Sequence, residues 1–104
     1  MPLIELTNEN FDSQVDRYPI MILDFWASWC APCKAFAPIF EAAAQKYPEI
    51  CFAKVNTDME PTLAKQFEVR SIPTLLAAKN GTIVKVQVGA LTPDKFEKLI
   101  QELR

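Results

Sequence analysis

A single junction constrains this chain more than any other feature. The apolar run Ile20-Met21-Ile22-Leu23-Asp24-Phe25-Trp26 leads through Ala27-Ser28-Trp29 into Cys30-Ala31-Pro32-Cys33, and a helical pattern begins at the second cysteine. A run that is apolar nearly throughout suits a central strand covered on both faces. The junction therefore predicts a strand that delivers a thiol to a helix N-terminus, where free N–H groups and the positive end of the macrodipole favour a thiolate. The thiolate is the nucleophile. A second sulfur one helical turn away can then resolve the mixed disulfide that the first one forms.

Other uses of the pair fit less well. As a staple it closes a loop of about four residues and removes only about 2 kcal/mol of unfolded-state entropy, against about 4.7 for a 100-residue loop. As a zinc or iron–sulfur site it lacks donors, because the chain has no histidine and only one further cysteine, Cys51. Such sites usually want four, so no metal is expected unless two chains share one. Two unconnected thiols would be expected in an apolar setting, with no proline between them and no helix start beside them.

At 104 residues, half of them hydrophobic, the chain suits one domain spanning 1–104 with one core. Its 11 Lys and Arg against 13 Asp and Glu give a net charge of −2, which leaves no basic footprint for nucleic acid. Met1-Pro2-Leu3-Ile4-Glu5 has neither the basic nor the apolar part of an export leader, and the longest apolar run is interrupted by Asp24. No membrane association is expected. An odd number of cysteines without a leader points to the reducing cytoplasm, where a C-x-x-C pair is more often catalytic than structural.

The elements alternate along the chain. Leu3-Ile4-Glu5-Leu6 reads as a short strand, and Thr7 as the N-cap of a helix to about Asp16, with Phe11 and Val15 on one face. Ile20 to Trp26 is the second strand, and Cys33 to Lys46 a helix in which Pro38 predicts a kink. Ile50 to Val55 is a third strand, followed by a short helix over Glu60 to Phe67 with Pro61 near its start. Thr74 to Lys79 and Thr82 to Val88 flank Asn80-Gly81, a strong hairpin signal. Thr92-Pro93 opens a last helix with Phe96, Leu99, Ile100 and Leu103 on one stripe. The order βαβαβαββα predicts an α/β fold with a mixed five-stranded central sheet flanked by four helices. Two glycines are too few for a phosphate-cradling loop, and the lack of histidine removes the usual hydrolase triads.

Asp24 to Lys34, then Val55-Asn56-Thr57-Asp58, Ile72-Pro73-Thr74-Leu75, Asn80-Gly81 and Val88-Gly89-Ala90, together resemble the bacterial-type thioredoxins over essentially the whole chain. The resemblance implies a thioredoxin fold and a protein disulfide reductase without a cofactor of its own. It also implies recharging by a flavin-dependent thioredoxin reductase that draws on NADPH, disulfide-containing proteins as substrates, and electron donation in cell redox homeostasis by a monomer. The chain departs from the family at Ala31, where thioredoxins usually carry Gly, and at Ser71, where Gly commonly precedes the Ile-Pro pair. Ala77-Ala78 replaces bulkier residues.

Roles follow by position. Cys30 is expected to attack, being nearer the helix N-terminus and, by resemblance, the more exposed; Cys33 is expected to resolve. Ala31 and Pro32, between them, tune the stability of the disulfide against the dithiol. A carboxylate between Leu23 and Phe25 lies either at an exposed edge or in the interior with a raised pKa. The resemblance implies the interior for Asp24, with a general-base role toward Cys33. Lys54, which the resemblance places in the neighbouring strand, either tunes Asp24 or is a solvated strand-end lysine. Trp29 is core filler or docking rim, and the resemblance places it on the rim, whereas Trp26 is expected in the core. Only about 5–6% of X-Pro bonds are cis, but the resemblance implies a cis Ile72-Pro73 bond that sets the Ile72 backbone beside Cys30 for an extended substrate. Gly89 with Val88 and Ala90 would complete a flat apolar rim. Cys51 reads as a small buried hydrophobe, with a regulatory or dimer-forming thiol as the alternative. A thiol oxidase or isomerase on the same fold, and a binding module with incidental cysteines, are the competing functions.

Overall fold

The computed structural model describes residues Leu3–Arg104, so Met1 and Pro2 of the expected 1–104 unit lie outside the described residues. Strand β1 (Leu3–Glu5) is followed by α1 (Phe11–Val15), β2 (Ile20–Trp26), α2 (Ala31–Lys46), β3 (Cys51–Asn56) and α3 (Pro61–Gln66). The hairpin β4 (Thr74–Lys79) and β5 (Thr82–Val88) and the helix α4 (Pro93–Leu103) complete the chain. The strands form one mixed sheet in the order β1-β3-β2-β4-β5, with β1, β3 and β2 parallel and the hairpin antiparallel. This is the mixed five-stranded sheet with four helices that the element order predicts, and the arrangement that the thioredoxin resemblance implies.

Side-chain alternation along the central strands divides the core into two layers. Ile22, Phe52, Leu75 and Ala77 face α2 and α4, where they meet Phe36, Phe40, Phe96 and Ile100. Phe40 packs edge-on against Phe52 at 5.3 Å between ring centroids and stacks on Phe96 at 5.9 Å, so these rings join sheet to helices. Truncating one to Ala would cost about 3–5 kcal/mol. On the other face Met21, Leu23, Phe25, Leu76 and Ala78 pack with Leu63 of α3 and with Phe11 and Val15 of α1.

Several boundaries differ from the expected ones. Helix α1 starts at Phe11 rather than just after Thr7, because Thr7 and Asn10 satisfy each other first. The Thr7 N–H donates to Asn10 Oδ1 at 2.8 Å and the Asn10 N–H to Thr7 Oγ1 at 3.1 Å, which closes a turn before the helix. Leu6 leaves β1 but stays buried, its N–H donating to the Lys54 carbonyl at 2.9 Å. Helix α2 begins at Ala31, before Cys33, and runs on through Pro38 to Lys46. The Asn80-Gly81 turn has φ of 52° and 82°, the positive pair that a two-residue hairpin with native twist requires. Opposite Ala77 and Ala78 the register shifts: Ala77 faces Lys85 and Ala78 faces Ile83, leaving Val84 as the extra residue of a bulge.

Candidate redox site

Strand β2 ends at Trp26, and after Ala27 the chain turns so that Cys30 becomes the N-cap of α2. Its backbone is extended (φ −91°, ψ 108°), its carbonyl accepts the Lys34 N–H at 3.1 Å, and its own N–H donates to Ala27. The side chain does what Ser or Asp does at other caps: Cys30 Sγ accepts the Cys33 N–H at 3.2 Å. Pro32 occupies the first turn, where a missing N–H costs nothing, and that turn carries no acidic side chain. The field at the helix start therefore acts on sulfur, with no carboxylate in that turn to oppose it.

Cys30 and Cys33 are joined in a disulfide with their Cα atoms 5.3 Å apart. Cys30 is the more exposed of the two, as expected, but only by a small margin: both are buried, at 4% and 2% exposed. The reason is shared packing: both lie with Ala27 against Trp26 and Ile72. What separates the two sulfurs is the N–H aimed at Cys30. Ala31 and Pro32, between them, are exposed.

Asp24 is 1% exposed, on the α2 side of the sheet with Ile22, and neither carboxylate oxygen has a hydrogen-bond partner among the described residues. Burial pushes its pKa up from 3.8 to about 6, while the charge of Lys54 pulls the other way. Lys54 is its register partner on β3 and is half-buried, so it is not a fully solvated strand-end residue.

Trp29 is 68% exposed, and its Nε1 donates to Asp58 Oδ2 at 2.9 Å. Asp58 was not among the residues expected at the site. Its segment is tied to the end of β2, since the Thr57 N–H and hydroxyl both donate to the Trp26 carbonyl and Asn56 Oδ1 accepts the Asp58 N–H. The only signal was the Asn56-Thr57-Asp58 motif itself. Trp26 is half-buried rather than fully in the core, with the Lys54 Nζ over its ring. The Ile72-Pro73 bond is cis, Ile72 packs on the cysteine cluster, and the Gly89 N–H donates to the Pro73 carbonyl at 2.8 Å. Gly89 has φ of 95°, a conformation that side chains rarely adopt, and Ala90 beside it is exposed. The structure thus brings Cys30, Cys33, Trp29, Ile72, Pro73 and Gly89 to one end of the sheet.

Cys51 is fully buried, and burial pushes its thiol up to about 11, so it is held as an unreactive thiol. Among the described residues, no three His, Cys, Asp or Glu side chains cluster as metal ligands would. None of the described helices is long and apolar enough to cross a membrane. An apolar groove of 340 Å³ between α2 and α4, lined by Pro38, Ile39, Ala43 and Phe96, contains neither cysteine.

Comparison with known proteins gives concordant matches. The family model described as Thioredoxin matches residues 2–102. A Streptomyces coelicolor relative is 43% identical over 101 residues, covering 97% of this chain and 75% of that protein. Chlorobaculum thiosulfatiphilum thioredoxin is 41% identical over 100 residues, covering 94% and 93%. Among solved structures, Plasmodium falciparum thioredoxin superimposes with a TM-score of 0.88 at 30% identity, covering 98% of both chains.

Proposed function

Since the chain belongs to the thioredoxin family and is a thiol–disulfide oxidoreductase, we propose that it works in the reducing direction, as a protein disulfide reductase. The direction rests on the family match and on the 41% identity to Chlorobaculum thiosulfatiphilum thioredoxin. The observation that carries the choice of nucleophile is the Cys33 N–H pointing at Cys30 Sγ from the start of α2. In the dithiol form that N–H and the helix field would hold Cys30 as thiolate.

The exchange then runs in two steps. Cys30 Sγ attacks one sulfur of the substrate disulfide, forming a mixed disulfide and expelling the other substrate sulfur as a thiolate that takes up a proton. Cys33 gives its proton to Asp24 and attacks Cys30 Sγ, which re-forms the Cys30–Cys33 disulfide and releases the second substrate thiolate. Two electrons have passed from protein to substrate. Asp24 suits the acceptor role because it is a buried carboxylate without a fixed partner and with a pKa of about 6, near operating pH. Lys54 moderates that pKa. Trp29, Ile72, Pro73, Gly89 and Ala90 form the rim that receives the substrate, whose extended segment pairs with the Ile72 backbone.

A flavin-dependent thioredoxin reductase drawing on NADPH would return the two electrons, and the chain would act as a monomeric, single-domain cytoplasmic electron donor in redox homeostasis. The test is reduction of a disulfide-bonded protein with thioredoxin reductase and NADPH as electron source. Catalytic amounts of the chain should accelerate both substrate reduction and NADPH loss. Acceleration only of disulfide formation in a reduced substrate would show an oxidase instead.

A further inference from the structure

Strand β5 pairs only with β4, so its outer side is a free edge among the described residues. It is also unusually apolar for an edge: Ile83, Val84, Val86 and Val88 are 39–60% exposed. Natural edges are blunted by charge and by bulges, and β5 has both, with Lys85 at its centre and the extra residue Val84. These devices act on its first half. The half next to the redox site remains regular.

The register assigns the two faces. Val86 and Val88 lie opposite Leu76 and Thr74 and share their face with the α1 and α3 layer, whereas Lys85 and Gln87 lie opposite Ala77 and Leu75 on the face of α4. On that second face Lys85 and Gln87 line a shallow groove with Lys95 and Lys98 of α4, where Glu102 is the one acid and lies 3.9 Å from Lys85. The backbone is placed as well. The Gly89 N–H turns inward to the Pro73 carbonyl. Alternation along an antiparallel pair then turns the N–H and C=O of Val86 and Val88 outward. The outward carbonyl of Val88 is met by the Gln87 side-chain amide at 3.0 Å, which a donor from another chain can replace.

We propose that the outer edge of β5 beside Val86 and Val88 takes up an extended segment of the protein substrate, one that alternates apolar with acidic side chains. The proposal rests on the reductase reading. Three features select this occupant. The edge runs directly into Gly89, whose N–H is bonded to Pro73, and Ile72 beside Pro73 packs on the cysteine cluster, so a segment leaving the reacting cysteine can continue along it. Lysines on one face and valines on the other call for acid and apolar residues in alternation, because opposite side chains of paired strands share a face. The bulge shortens the regular edge, which disfavours full edge-to-edge pairing with a second copy and leaves room for a short added strand.

The test compares single-turnover reduction, by the dithiol protein, of three cysteine peptides in mixed disulfide with a coloured aromatic thiol. One carries a tail of alternating valine and glutamate, one a tail of alternating valine and lysine, and one no tail; tails on either side of the cysteine are made separately. The valine–glutamate peptide should react about tenfold faster than the tail-less one, the effect of a few cross-strand contacts. Val86→Lys should bring that ratio to about one, and Val86→Thr, which keeps a β-branched strand former, should lower it as well. Lys95→Glu with Lys98→Glu should transfer the preference to the valine–lysine peptide. Equal rates for all three peptides in the parent, or a ratio untouched by Val86→Lys, would overturn the docking strand and leave the reductase reading standing. No reduction of even the tail-less peptide would overturn both. A parent dimer in sedimentation that Val86→Lys dissolves would assign the edge to a second copy and overturn the proposal.

Discussion

Asp24 and Lys54 are register partners on adjacent parallel strands, yet among the described residues no ion pair or hydrogen bond joins them. The Lys54 Nζ lies 4.7 Å above the centroid of the Trp26 ring instead. A cation held there is attracted by the ring face. It is near enough to pull the Asp24 pKa down, but without direct contact it does not outweigh burial, and the carboxyl stays at about 6.

Stability should therefore depend on pH through Asp24. The folded pKa of about 6 exceeds the unfolded value of 3.8, so the folded state holds this proton more tightly. The resulting stabilisation is complete below the unfolded pKa and is lost as pH rises through the folded one. Asn cannot ionise. Asp24→Asn should be more stable than the parent by about 2–3 kcal/mol above pH 7, with the gap closing on acidification. Unfolding free energies of both oxidised proteins against pH check this, and a gap that stays flat would remove the buried acid.

Lys54→Met isolates the opposing charge while keeping most of the stem. With that cation gone, burial acts alone and the Asp24 pKa should rise above about 6. Carbon-detected NMR titration of the carboxyl reads this directly. An unchanged midpoint would mean that Lys54 does not tune the site.

Asp58 should matter for substrate affinity more than for chemistry, since it touches neither sulfur but holds the exposed Trp29 indole. Asp58→Ala should raise KM for a protein disulfide about threefold to tenfold with kcat nearly kept, and should change stability by about 1 kcal/mol or less. Steady-state kinetics separates the two constants. An unchanged KM would take the Trp29 position out of recognition.

Much of this arrangement was legible because local signals and tertiary demands agree. The apolar run of β2, the Asn80-Gly81 turn and the Thr92-Pro93 start of α4 each combine periodicity with a boundary residue, and each element lies where those predict. The helix after β2 was legible but its start was placed two residues late, at Cys33 rather than Ala31, because its cap is a cysteine and Ser, Thr, Asp and Asn are the usual signals. Thr7 misled for the opposite reason: it is a good cap residue that Asn10 engages first. The hold of Asp58 on Trp29 spans 29 residues and has no local signature. Nothing in a valine-rich strand marks β5 as an exposed edge, since the same composition suits a buried one.

The central claim is that the two cysteines are unequal, one attacking and the other resolving. The most direct measurement is trapping of mixed disulfides from a cell lysate under non-reducing conditions with single variants. Cys33→Ser retains the attacking sulfur and cannot resolve, so it should accumulate covalent complexes with substrate proteins that dithiothreitol releases; Cys30→Ser should accumulate none. Equal trapping by both variants, or by neither, would contradict the account.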